Sequence, residues 1–164
     1  MGVFQIALIS ATFLCSLVSG FLFAFAIVTM PGIGNLNDRE FIRAFQVMDR
    51  IIQNNQPVFM LVWIGSVVAL VTSVVLGIKQ LDGTALVILI CSAGTYLFGV
   101  QLPTVSINVP LNNKLQTLDV DAMTEVARKT AREEFEPRWN RWNSIRTAAS
   151  SLTTILLIIL LFKI

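Results

Sequence analysis

The stretch VFMLVWIGSVVALVTSVVLGIKQLDGTALVILICSAGTYLFGVQLPTVSI, Val58 to Ile107, holds two long apolar runs separated by KQLDG, Lys79 to Gly83. Each run reaches the roughly 20 residues that a helix needs to cross a hydrocarbon core about 30 Å thick. Lipid cannot pair the open edge of a sheet, so apolar runs of this length imply helices, whose backbone groups bond internally. Asp82 and Gly83 favour a tight reversal, which makes the two runs antiparallel neighbours.

Working outward, two further runs have the same character. The expectation is an all-α, four-helix transmembrane bundle in a single domain, 1–164, with helices at about 3–30, 58–78, 84–107 and 144–162. The first run has no basic segment before it and stays apolar through FLFAFAIV, Phe21 to Val28, so it reads as a retained helix rather than a signal peptide. Composition agrees, with 55% hydrophobic and 13% charged residues. A net charge of +2 without a basic stripe excludes a nucleic-acid partner.

The other two connections are long and polar. By parity both lie on one side of the membrane, with the termini and the short turn on the other. Ten of the twelve Lys and Arg residues fall on the side with the long connections. The positive-inside rule therefore predicts a multi-pass protein with cytoplasmic loops and extracytoplasmic termini. Each loop is expected to hold an amphipathic helix. After PGIGNLN, Asn37 and Glu40 form a capping-box-like pattern, and Phe41, Phe45, Met48 and Ile52 share a narrow arc. That stripe would lie across the bundle mouth, with Asp49 at its border facing inward. The second amphipathic stretch runs from about Asp121 to Phe135 and is expected to end at Pro137.

The same mouth gathers the unusual polar residues. Helix three ends in SINVPLNN, Ser106 to Asn113, and helix four begins in WNRWNSIR, Trp139 to Arg146. In a helix Trp139 pairs with Trp142 and Asn143 with Arg146, which points Arg146 towards the bundle from about one turn inside the apolar boundary. An ionisable group at that depth is a candidate functional residue by default. Gln101, two turns below Asn108, would line the floor of such a pocket or bond a neighbouring helix. Singly, these residues have structural readings: asparagines cap helices, tryptophans anchor at the interface, and arginines snorkel. Their convergence brings a small-molecule pocket level with those readings.

Much chemistry is excluded. The chain has no histidine, so it has no Ser-His-Asp triad, His-ligated haem or two-His facial triad. Cys15 and Cys91 form no CxxC pair and read as small core residues, and no calcium-loop pattern marks a metal site. Small residues at four-residue spacing, Ser16, Gly20 and Ala24, then Gly65, Ala69, Ser73 and Gly77, permit close helix approach.

Over nearly its full length the chain resembles the anthrone-oxygenase-like family of small four-helix membrane proteins. The resemblance rests on the proline after helix one, FQVMDRIIQNNQP ending at Pro57, NVPLNN, and WNRWNSIR. The chain departs from the family pattern at Asp49, where asparagine is expected, and in the extra Asn and Gln before Pro57. The resemblance implies oxidation of anthrone-like or hydroquinone-like aromatics without a metal or flavin. Asp49 would then remove a proton, while Asn108, Asn112, Asn143 and Arg146 would serve the resulting oxyanion, and Phe45 and Trp142 would supply flat walls. The expected partners are the lipid bilayer and a hydrophobic aromatic small molecule, with no cofactor; a homo-oligomer or membrane partner stays open. The alternative is a non-catalytic membrane subunit or lipid-binding scaffold, its arginines on headgroup phosphates.

Overall fold

The computed structural model describes residues 2–164, and every regular element among them is helical. The described residues form five continuous helices: α1 (Val3–Gly34), α2 (Asp38–Gln53), α3 (Pro57–Gly77), α4 (Gly83–Gln116) and α5 (Glu125–Lys163). All but α2 are long and apolar enough to cross a membrane, which fits a multi-pass membrane protein. Helix starts follow local chemistry. The Asn37 side chain accepts from the Glu40 N–H at 3.0 Å, Gln56 from Phe59 at 2.6 Å ahead of Pro57, and Thr124 from Ala127 at 3.2 Å. Gly83, at φ +48°, makes the reversal between α3 and α4.

Three helices run further than the sequence suggested, and proline is the reason in each case. Pro31 and Pro110 were expected to bound their helices, and Pro103 to sit within an otherwise regular third helix. Instead each follows, by two residues, a π-helical stretch: Phe25–Thr29 before Pro31, Leu97–Gln101 before Pro103, and Thr104–Asn108 before Pro110. Widening the turn makes room for the carbonyl that the proline ring would otherwise strike, so the helix bulges rather than breaks. Thus α1 continues to Gly34 and α4 to Gln116. Pro137 does not end the second amphipathic stretch either. It lies inside α5 on an exposed position, so α5 begins at Glu125 rather than near residue 144.

Around the bundle the order is α3, α1, α5, α4. Helix α1 packs along α3 and α5, and α5 along α4. The ring closes between α3 and the first part of α4, residues 83–96, but α3 makes no more than isolated contacts with residues 97–116. The membrane-depth core is built from one face of α1, with Phe4, Leu8, Ala11, Cys15, Val18 and Leu22 packed against Leu70, Leu89, Tyr96, Leu157 and Leu160. Of the small-residue ridges, that of α3 packs inside the bundle, where Gly65 meets Leu14 and Gly77 meets Leu89 and Phe4. That of α1 does not: Gly20 and Ala24 are exposed. So is Cys91, which is not a core residue.

A second core forms at the loop end. The stripe of α2 buries Phe41, Ile42 and Phe45 against Met30, Leu115, Val120, Phe135 and Trp139. Arg132 of α5 clasps the α1–α2 connection, donating to the Gly34 and Leu36 carbonyls, Asp38 and Glu136, with its guanidinium 4.4 Å from the Phe41 ring. Asp121 pairs with Arg39 and Arg43, whose hydrogen bonds hold its carboxyl below the usual carboxylate range. That clasp is therefore fully present at neutral pH and is lost only as acid protonates Asp121.

A Cβ at Gly99 would stand 2.7 Å from that of Ala149, whereas one at Gly20 would meet nothing within 4 Å. Gly99→Leu should therefore lower stability by about 1–3 kcal/mol through overpacking of the α4–α5 contact. Gly20→Leu should leave it unchanged. Thermal unfolding of both variants in detergent checks the pair.

Candidate functional site

Helices α1, α2, α3, α4 and α5 all contribute to a cavity of about 220 Å³ beneath α2. Its walls are aromatic. Phe45 meets Trp139 edge-on at 5.4 Å, Trp139 lies 5.7 Å from Phe25, Phe25 lies 4.9 Å from Phe21, and Phe21 lies 5.4 Å from Phe59. Phe59 in turn stacks on Trp63 at 5.4 Å. Such faces suit a flat apolar ligand.

At the mouth, Asp49 is 5% exposed and three amides surround it. Asn112 donates to Oδ1 at 2.8 Å, while Gln53 and Gln116 donate to Oδ2 at 2.7 and 3.0 Å. A carboxylate offers about four acceptor positions, so this shell leaves room for one more donor, on the Oδ1 side. The Asn112 amide cannot turn freely, because its Oδ1 accepts from the Trp139 indole N–H at 2.8 Å. Trp139 thereby fixes the donor that holds Asp49.

Deeper in the bundle lies Arg146, two turns beyond Trp139 on α5 and so about 10 Å further along the helix. It is 4% exposed. Its Nη1 donates to Thr104 Oγ1 and its Nη2 to Asn143 Oδ1, each at 3.0 Å, and its guanidinium lies 5.7 Å from the Trp139 ring. Asn143 is itself anchored to the Leu22 carbonyl at 3.2 Å. Among the described residues no carboxylate pairs with Arg146, and its Nε has no hydrogen-bond partner. Asn108 Oδ1, also buried on the cavity wall, has none. A buried cation without an anion, beside an acceptor without a donor, is costly unless something else supplies both.

Of the residues singled out from sequence, Phe45, Asp49, Asn108, Asn112, Asn143 and Arg146 all line this cavity. Trp142 and Gln101 do not. The buried stripe of α5 steps from Phe135 to Trp139, Asn143, Arg146 and Ser150, spacings of four and three, so Trp139 takes the inward position and Trp142 falls half-buried beside it. Gln101 is displaced because a π stretch separates it from Asn108. One extra residue per wide turn rotates it by about 100° relative to a regular helix.

Sequence reasoning also passed over Thr104, Trp63, and the amides of Gln53 and Gln116. Polar residues within the QNNQP and NNKLQ segments were the available signal for the last two. Among the described residues, no group of three or more His, Cys, Asp or Glu side chains is placed to hold a metal ion.

The family model described as anthrone oxygenase matches residues 48–156, about two thirds of the chain, a span that includes Asp49 and Arg146. No curated protein and no solved structure matches the chain.

Arg146→Met separates a ligand-directed arginine from a structural one. Removing the unpaired charge offsets the acceptor left on Asn143, so stability should change by less than about 1 kcal/mol. An arginine that held the bundle together would instead cost roughly 3–5 kcal/mol when removed. Unfolding of the purified variant in detergent decides between them.

Proposed function

The chain belongs to the anthrone oxygenase family, and from that premise we propose that it oxidises an aromatic ketone with an acidic ring methylene, or a related hydroquinone, using molecular oxygen. The observation that carries this reading is Arg146: a buried guanidinium without a carboxylate, at the inner end of an aromatic-walled cavity whose outer end holds Asp49.

In an anthrone the methylene lies across the central ring from the ketone. Losing one methylene proton moves an electron pair towards the ketone oxygen and produces a phenolate-like anion. That anion reduces oxygen by one electron, and the two radicals combine to form a carbon–oxygen bond. Protonation gives a hydroperoxide, which loses water to leave a second carbonyl. The net change turns one methylene and one O₂ into one carbonyl and one water.

Each group has a place in that scheme. Asp49 accepts the methylene proton and returns it to the peroxide anion, with its three amides stabilising the carboxylate before the first event and after the second. Arg146, oriented by Thr104 and Asn143, stabilises the negative charge as it develops on the ketone oxygen. The unpartnered Asn108 carbonyl accepts from a hydroxyl on the substrate. Phe45, Phe25 and Trp139 hold the ring system flat and keep water from the anion.

Oxygen uptake by the purified protein given an anthrone tests the reading, with the quinone measured as product. Wild-type protein should consume one O₂ per substrate. Asp49→Asn should slow turnover by about 10²–10⁴ and Arg146→Met by about 10²–10³. Uptake unaffected by either substitution would remove these residues from the reaction. No uptake with any anthrone or hydroquinone would leave the non-catalytic scaffold as the better account.

A further inference from the structure

The cavity keeps its polar groups buried and shows apolar side chains at its open rim. Met48 and Ile52 of α2, Phe59 and Trp63 of α3, and Val105 and Val109 of α4 all line it and all keep exposed surface. Asn112 is the one polar lining residue that is not fully buried, and both ends of its amide are already engaged by Trp139 and Asp49.

Two seams bound the opening, and they differ. The one between α2 and the end of α4 is closed by six hydrogen bonds. Gln46 donates to the Leu115 and Leu118 carbonyls, Gln116 to the Gln46 carbonyl and to Asp49, Asn112 to Asp49, and Gln53 to Asn113. The seam between α3 and α4 last meets at the 2.7 Å bond between Ser66 and Tyr96. On the mouth side of that bond, α3 and α4 share no hydrogen bond among the described residues and the helices part. Val105 is 68% exposed beside the gap. Phe59, Trp63, Val105 and Val109 all belong to helices apolar enough to span the membrane. The parted seam is thus framed by two helices apolar enough to span, whereas the stitched seam joins one of them to α2, which is not.

We infer that the cavity opens sideways into the bilayer between α3 and α4 and takes an uncharged, planar aromatic substrate directly from the hydrocarbon, with Phe59 and Val105 as entrance residues. This rests on the reading above that the cavity takes an aromatic substrate. A molecule already dissolved in lipid reaches Arg146 without crossing the amide-stitched seam. The apolar frame admits the neutral form and refuses ionised analogues, because a charge would have to shed its water at the entrance. The substrate anion is then formed only inside, between Asp49 and Arg146. Oxygen, which dissolves better in hydrocarbon than in water, arrives by the same route.

Collisional quenching of Trp139 tests the portal without any turnover. The protein carrying Trp63→Phe and Trp142→Phe retains Trp139 as its single tryptophan and is reconstituted into vesicles. A nitroxide-bearing alkane dissolved in the bilayer should quench it strongly, and acrylamide in the water weakly. Val105→Phe, or Val109→Phe if the first variant folds poorly, should lower the nitroxide quenching several-fold. Asn113→Ala in the stitched seam should leave it unchanged. Strong quenching by acrylamide without quenching by the nitroxide would overturn the inference, as would nitroxide quenching indifferent to both valine substitutions. A protein that shows the expected pattern yet takes up no oxygen keeps its portal and loses only the proposed reaction.

Discussion

Everything at the mouth of the bundle depends on α5 running unbroken through Pro137. Its 39 residues make a rod of about 58 Å, roughly twice the hydrocarbon thickness. A proline inside a helix costs roughly 3 kcal/mol, chiefly through a lost hydrogen bond and a clash with the carbonyl four residues earlier. Here both Pro137 and Glu133 are exposed, so water can serve the freed carbonyl. Ahead of the proline the helix is held by Arg132 against the α1–α2 connection and by Phe135 against Phe45 at 4.6 Å, and beyond it by Trp139 against Phe25 at 5.7 Å. Because the helix does not break, one stripe carries Phe135, Trp139, Asn143, Arg146 and Ser150 from the polar end into the membrane. A kink at residue 137 would leave Trp139 out of reach of Asn112, and Asp49 without its oriented donor.

The arginine on that stripe is held in a manner that differs from the other buried or clasping arginine. Arg132 has two carboxylates and two carbonyls around it, so its charge is answered within the chain. Arg146 has a hydroxyl, an amide oxygen and the face of an indole, which orient a guanidinium without neutralising it. Neutral partners keep the positive field directed at the cavity, where a carboxylate would cancel it. The same logic accounts for the asparagines and glutamines at this mouth. Amides fix charged groups in place at a smaller desolvation cost than further charges would carry.

How much of this could be read from the sequence follows from which rules act locally. Apolar length decided the four spans, because the bilayer sets that length independently of packing. The α2 stripe and the inward position of Asp49 followed from helical periodicity alone. Proline was taken as a helix boundary at three positions, 31, 110 and 137, and at 103 its π bulge went unforeseen, since a residue that ends helices in isolation is accommodated by a π turn or an exposed face when neighbours hold the rod together. That one error displaced two site assignments. Taking helix four to start near residue 144 hid the four-three spacing that places Trp139 inward, and a straight helix through residues 101–108 put Gln101 on the wrong face. The amide shell of Asp49 was not legible in outline, because Asn112 and Gln116 lie 63 and 67 residues from Asp49 and join Gln53 around it only when α2 folds over the end of α4.

Asp49 and Arg146 line one cavity, both are more than nine-tenths buried, and yet they do not pair. Opposite charges in a low-dielectric site attract strongly, and flexible side chains close such gaps unless the structure holds them apart. Here it does, through the Asn112–Trp139 bridge at one end and the Thr104–Asn143 clamp at the other. Separation of this kind suits a substrate whose acidic carbon and charge-accepting oxygen lie on opposite sides of a ring. Proton removal at one edge then delivers charge to the other, through the π system rather than through the protein. An anthrone has that geometry, whereas a substrate with its acidic carbon adjacent to its carbonyl would call for base and cation side by side. The distance kept between two charges, more than either charge alone, is what connects this cavity to the proposed chemistry.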